Sequence, residues 1–345
     1  MKALIKTKRG KGNVELVDNY PEPQIADHEV LLKVKAIGMC GTDYHIYTDE
    51  FPSNPPVLLG HEFSGVVVKR GSKVQGFSEG TRVVSELSVK ACGTCVYCKT
   101  GNAHICPQKT SPGHGIDGAC ADYIKMPYHL LHQVPDTVSD EEAALVEPSA
   151  IVVHALLERT RVNVGDFVVI MGPGPVGLLA LQMAKIAGAG KIMVVGTTAD
   201  EEVRLPLAKK LGADYVVNCQ KEDPLQLVQE LTGGLGVDLV VEGAGAVSAI
   251  NMGIEMLRKH GKMCVIGIPG EEYIQVKWKT SVFKAIQVIF SYSSSSTSWD
   301  LVLKMLEKKV LDVKSLISYK AKLEEWEEIF RKVSEGKVIK AVLEP

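Results

Sequence analysis

No stretch of this chain approaches the ~20 consecutive apolar residues that a membrane-spanning helix needs. Its basic start, MKALIKTKRGKG, has no apolar run behind it, so no signal peptide is expected. A surplus of one charge sign is missing too. The formal net charge is -2, which gives no electrostatic reason to expect nucleic acid or an anionic membrane as a partner. Internal repeats are absent, and the serine run SSSSTS after Tyr292 is the one low-complexity stretch. The content of 46% hydrophobic and 23% charged residues is ordinary for a globular chain. At 345 residues the chain is too long for one typical core. The expectation is a soluble, cytoplasmic protein of two domains that acts on a small molecule.

The most informative feature present is the segment KACGTCVYCKTGNAHICP, which reads Cys92-x2-Cys95-x2-Cys98-x7-Cys106. Four thiolates from one short loop match a closed, tetrahedral all-cysteine zinc site, the structural form of zinc binding. An iron–sulfur cluster and idle thiols are the alternatives. Cys120, Cys219 and Cys264 read as small buried hydrophobes.

Up to about position 150, short β-branched runs such as EVLLKVKAIG, FSGVVVKRG and TRVVSEL alternate with turn residues, as in an irregular β domain. Beyond it, strand-like and helix-like segments alternate: DFVVIMG, LLALQMAKIAGA, KIMVVG, VRLPLAKKLGA, DYVVN, LQLVQELTGG, DLVVEGAG, AINMGIEMLRKHG and KMCVIGIPG. That rhythm predicts an α/β, doubly wound parallel sheet covered on both faces. After the serine run, a helix opening near Trp299 and another over EEWEEIFRKVSEG are expected to return to the first domain. The predicted division is 1–150 with 292–345 as one domain and 151–291 as the other.

Gly172-Pro173-Gly174-Pro175-Val176-Gly177 fits G-x-G-x-x-G, and it follows the strand VVIM and opens the helix LLALQMAKIAG. In that context the pattern is a pyrophosphate-binding turn. Gly172 permits the tight turn, Gly174 admits the pyrophosphate, and Gly177 lets helix and strand pack closely. The next strand lacks the Asp or Glu that holds an NAD ribose and ends in Gly196-Thr197-Thr198. A small, hydroxylated end with Arg204 as the nearest base favours NADP over NAD. Asp200, Glu201 and Glu202 argue the other way.

A second constellation consists of Cys40, His61, Glu62 and Glu147, in GMCGTD, LGHEFSG and LVEPSA. Thiolate, imidazole and carboxylate are what zinc takes when one coordination position stays open for chemistry. His61 and Glu62 are adjacent, so both reach one ion only from a turn or bulge, which Gly60 permits. Each residue alone also has a plain structural reading.

GHE, then the four-cysteine loop, then the dinucleotide turn resembles the zinc-dependent medium-chain alcohol and polyol dehydrogenases over essentially the whole chain. CGTDYHIY with Glu62 and Glu147 is similar to the sorbitol and threonine dehydrogenase branch. The resemblance implies a Rossmann cofactor domain, a GroES-like catalytic domain and two zinc ions per chain. It implies that Cys40 and His61 bind the catalytic zinc with Glu62 or Glu147 as third ligand, and that Asp43 orients His61. Thr42 would take the proton of the alcohol and pass it toward His45. It further implies hydride transfer between a secondary alcohol, most naturally a polyol, and NAD(P), giving the ketone. Family members pair edge strands, so the apolar KAIQVIF strand suggests a homo-oligomer, a tetramer.

Sorbitol dehydrogenases of the family carry an Arg-Tyr pair near position 290, whereas this chain has Ser291-Tyr292. That departure argues against sorbitol itself. The hydroxyls of Ser293 to Ser296, with Tyr44 and Tyr47, suit a polyhydroxylated substrate; alternatively the serines form a crossover whose last member, Ser298, caps the helix at Trp299. L-Threonine 3-dehydrogenase and simple alcohol dehydrogenase are alternative activities. A non-catalytic zinc and nucleotide binder is a remote one.

Overall fold

The computed structural model describes residues 1–345. Two compact units emerge: Met1–Ala150 with Ser295–Lys309 and Val313–Pro345, and Ile151–Ser294 with Val310–Asp312. Residues 292–294 and Val310–Asp312 thus group with the second unit, not with the C-terminal tail.

The first unit is built around the strand Glu29–Met39. Its Lys33 and Lys35 are exposed while Val30, Leu32, Val34 and Ala36 are buried, the alternation expected of a half-buried strand. Seven strands share this sheet. Glu62–Arg70 pairs antiparallel with Glu29–Met39, matching Gly38 to Glu62. On the other edge the C-terminal strand Lys340–Glu344 also runs antiparallel, matching Met39 to Ala341. The end of Glu29–Met39 is therefore held between Glu62 and Lys340. The rings of Tyr44 and Tyr47, whose hydroxyls are expected to suit a polyhydroxylated substrate, pack against Phe330 and, for Tyr47, also Trp326 of the helix Trp326–Ser334. Apolar ring area outweighs one hydroxyl at such a position.

The second unit holds six parallel strands in the order Tyr215–Asn218, Lys191–Gly196, Phe167–Met171, Val237–Glu242, Leu257–Val265, Gln287–Phe290. Strand order reverses between Phe167–Met171 and Val237–Glu242, which makes the sheet doubly wound with its switch point there. Val168, Val169 and Ile170 are fully buried, as a strand covered on both faces requires. The helix predicted over AINMGIEMLRKHG stops at Met256. Leu257 instead pairs with Val237, and His260 takes a left-handed φ of 57°, incompatible with a continuing helix. No helix is long and apolar enough to cross a membrane.

The helix Ser296–Glu307 is capped by Ser295, whose side chain accepts the Ser298 N–H, so Ser298 is not the cap. Within the first unit this helix is held by His132, whose Nδ1 is 2.8 Å from Asp300 and whose Nε2 is 3.1 Å from Glu86. The imidazole stacks on Trp299 with centroids 5.8 Å apart. Burial by itself would lower the His132 pKa; Glu86 and Asp300 outweigh it, and the net direction is up. A raised folded pKa contributes stability that is complete below the ordinary histidine value of about 6.5 and fades as pH rises through the folded value. The stability of the wild type relative to His132→Phe, which keeps the stack on Trp299, should therefore shrink on going from about pH 6 to pH 8. Denaturant titrations at both pH values check this, and a difference that does not change with pH rejects it.

Candidate metal centres and dinucleotide cavity

Cys40 follows the end of the Glu29–Met39 strand and caps the helix Gly41–Thr48. Asp43, fully buried, accepts the Cys40 N–H at 2.9 Å and the Gly60 N–H at 3.1 Å. One carboxylate thus ties the two loops that carry Cys40 and His61. Its Oδ1 lies 3.7 Å from His61 Nδ1. Gly60 has φ 89°, and a Cβ there would stand 2.6 Å from Cys120 Sγ. Only glycine fits this turn, which lets His61 and Glu62 serve one centre. Gly38 matters for a related reason: a Cβ on it would stand 2.3 Å from Glu62 Oε2.

The donor atoms of Cys40, His61 and Glu62 lie within 4.8 Å of one another. Glu147 is buried at 5% exposure but stands outside this grouping. Burial and the nearby Glu62 hold its carboxyl up at about 7, against the pull of His61, Lys340 and Lys109. Burial would push His61 down; Asp43, Cys40 and Glu147 around it win, and its pKa rises well above the usual value. His114 goes the other way, to about 4, through burial and the neighbouring His61 and Lys109. A half-buried thiol, an imidazole and a carboxylate converging on one point make a cation site, and this donor set fits zinc with an open position.

Lys340 was not foreseen from the sequence. Its Nζ sits 2.5 Å from each Glu62 oxygen, in a pair where both side chains are at most 3% exposed. The two residues are 278 positions apart, so only a lysine standing in the apolar run VIKAVLEP hints at a buried partner. Thr42 Oγ1 lies 3.6 Å from Cys40 Sγ. His45 is exposed, and its Nδ1 is 2.7 Å from Glu50, a partner also missed.

All eight cysteines are free thiols. Sulfur separations in the Cys92, Cys95, Cys98 and Cys106 cluster run from 3.5 to 4.0 Å. A tetrahedron with Zn–S bonds of about 2.3 Å has edges of about 3.8 Å. Backbone N–H groups of Cys92, Cys95 and Cys98 point at sulfurs of the cluster. Those of Thr94 and Cys95 lower the Cys92 thiol to about 6. Burial pushes the Cys98 thiol the other way, up to about 12, so it is the spacing of the four sulfurs that fits a closed zinc site.

In the second unit a cavity of about 330 Å³ opens at the strand switch point and is lined by Gly172, Gly174, Gly196, Thr197, Asp200 and Arg204 among others. Gly172 has φ 93°. A Cβ on Gly174 would meet nothing within 4 Å, leaving room for a ligand to approach the N-terminus of the helix Pro175–Ile186. A Cβ on Gly177 would stand 1.9 Å from the Gly172 carbonyl oxygen. Pro175, Val176 and Gly177, which open that helix, and Thr198, which opens the short turn Thr198–Asp200, do not line the cavity. Gly243, Ala244 and Ala246 line it too; the small residues ending DLVVEGAG were the available signal. Glu242 accepts the N–H groups of Ala244 and Gly245 at 2.9 and 2.8 Å and so folds that wall. A larger groove of about 560 Å³, lined by Lys33, Lys35 and Glu141, contains none of these residues.

A zinc-binding dehydrogenase family model matches residues 175–308, and an alcohol dehydrogenase GroES-like domain model matches residues 26–136. The class is thus a zinc-binding dehydrogenase with a GroES-like unit and a Rossmann unit. Sorbitol dehydrogenase of Halalkalibacterium halodurans is 40% identical over 345 residues, covering 100% of this chain and 99% of that one. D-arabitol-phosphate dehydrogenase of Enterococcus avium is 39% identical and covers 100% and 97%. A Sinorhizobium meliloti crystal structure described as a zinc-binding dehydrogenase bound to NADP superposes with TM-score 0.90 at 27% identity, covering 100% and 99%. The chain belongs to the zinc-dependent medium-chain alcohol and polyol dehydrogenases, enzymes that work with zinc and NAD(P).

Removing Lys340 should leave Glu62 as a buried, uncompensated charge. Lys340→Met is expected to cost about 3–5 kcal/mol in the metal-free protein, measured by urea denaturation after chelation. Added zinc should recover part of that loss. A cost below about 1 kcal/mol would mean the pair is solvent-screened.

Proposed function

We propose that the protein interconverts a secondary alcohol of a polyol or sugar alcohol and the corresponding ketone with NAD(P) as hydride carrier. The observation that carries this reading is the convergence of Cys40, His61 and Glu62 in an enzyme of this family. Cys40 and His61 are the constant ligands. Glu62 is the third, favoured over Glu147 by its place in the 4.8 Å grouping. Asp43 holds the imidazole, and Lys340 orients the Glu62 carboxylate. Zinc, when bound there, supplies Lewis acidity that makes an alcohol proton easier to remove.

Thr42, beside the Cys40 sulfur, is the group that accepts that proton and passes it toward His45. His45 is exposed and leans on Glu50, which holds the imidazole in place where it meets water. Cys92, Cys95, Cys98 and Cys106 hold a second, structural zinc. The catalytic part is assigned to residues 1–150 and 292–345, and cofactor binding to 151–291, through Gly172, Gly174, Pro175, Val176, Gly177, Gly196, Thr197, Thr198 and Arg204. Arg204 and the hydroxylated strand end support a lean to NADP.

The edge strand Gln287–Phe290 and the helix Trp278–Lys284 expose Phe290 at 68%, Trp278 at 72% and Phe283 at 72%. Apolar area of that extent on a sheet edge supports pairing with a second copy, and a cytoplasmic tetramer is the proposed assembly.

Metal analysis should find two zinc ions per chain, and Cys95→Ser should lose one together with thermal stability, because metal binding is coupled to folding. Thr42→Val should lower kcat by about 10²–10⁴ while cofactor affinity stays unchanged. A panel of polyols, sugar-alcohol phosphates, L-threonine and simple alcohols, each with NAD and NADP, decides the substrate class; turnover confined to L-threonine would replace the polyol reading.

A further inference from the structure

The dinucleotide cavity holds a charged pair that the reading above leaves unexplained. Rossmann units place an acidic residue at the end of the second strand, against the adenosine ribose. Here that strand ends in Gly196. A Cβ built on Gly196 would stand 3.1 Å from Asp200 Oδ2 and 2.9 Å from Pro173 Cγ in the phosphate turn. The Asp200 carboxylate therefore shares with Pro173 and with Leu205, whose Cδ2 would also stand 2.9 Å away, the space that a side chain at the strand end would take. The short turn Thr198–Asp200 delivers it there: the Thr197 N–H and hydroxyl donate to Oδ2 at 2.9 and 3.0 Å. Arg204 Nη1 donates to Oδ1 at 3.1 Å. Asp200 is 6% exposed, and both residues line the cavity. The neighbouring acid Glu201 is engaged elsewhere, 2.7 Å from Lys221.

We infer that the Asp200–Arg204 pair sets the discrimination between NAD and NADP, an inference that rests on the dinucleotide reading of this cavity. Arg204 is the cation able to read a 2′-phosphate, and Asp200 restrains it. A phosphate dianion has to share the guanidinium with a buried carboxylate only one contact away, in a setting where screening is weak. A 2′-hydroxyl carries no such penalty and has a carboxylate lone pair to donate to. The preference for NADP is accordingly small in the wild type, and it is enlarged when position 200 loses its charge but keeps its shape.

Asp200→Asn retains an oxygen for the Thr197 N–H. NADH and NADPH are titrated separately onto the purified wild type and variants without substrate, following nicotinamide fluorescence. Asp200→Asn should tighten NADPH by at least about 10-fold, the weight of a charge-assisted hydrogen bond, with NADH changed by less than about 3-fold. Arg204→Gln should weaken NADPH selectively, and the double variant should lose the gain. If Asp200→Asn moves both nucleotides alike, moves neither, or keeps its gain without Arg204, the pair is merely structural and the inference falls. Should Asp200→Asn not fold, Arg204→Gln alone decides: a selective loss of NADPH supports the inference and an equal loss overturns it. Failure of the wild type to bind either nucleotide would overturn the dinucleotide reading and this inference with it.

Discussion

The register at the end of one strand governs the first unit. Glu29–Met39 ends between two antiparallel neighbours, with Gly38 opposite Glu62 and Met39 opposite Ala341. That alignment sets the Cys40 thiol, the Glu62 carboxylate and the Lys340 ammonium around one buried point. A shift by one residue would turn Glu62 and Lys340 to the opposite face. It would also bring a side chain into the space that Gly38 leaves for the Glu62 carboxylate.

Burial then raises the cost of every charge in the cluster. Three carboxylates, those of Asp43, Glu62 and Glu147, lie away from bulk water beside the half-buried Cys40 thiol and need compensation. Lys340 supplies one positive charge, and the direction of the His61 shift shows that the surroundings favour a second. A divalent ion satisfies the same demand. The metal chemistry and the packing therefore share a cause: the fold concentrates negative charge where only a cation can balance it. Asp43 contributes by binding the Cys40 and Gly60 backbone, which keeps the two donor loops in step.

The second unit rests on close approach more than on charge. Gly172, Gly177 and Gly196 stand where any side chain would strike backbone or a neighbouring residue, and Gly174 stands where one would fill ligand space. Glu242 shapes the facing wall through two backbone N–H groups. Charge enters this cavity at one place, the Asp200–Arg204 pair, carried by a turn that departs from the usual strand-end acid.

The features legible in the sequence are those whose physics is local. The four cysteines span fifteen positions, so their spacing by itself determines that one loop brings them together. The glycine-rich turn is likewise a matter of six consecutive residues between a strand and a helix, and the alternation of strands and helices determines the doubly wound class. Tertiary structure alone decided what depends on register and on distant partners. Glu62 joins Cys40 and His61 while Glu147 stands outside the grouping, and Lys340 reaches Glu62 from the far end of the chain. Tyr44 and Tyr47 turn into an aromatic cluster, and Asp200 folds back to hold Arg204. None of these has a local signature, because sheet pairing and the charge balance of a buried cluster set them, and both exist only once the chain has folded.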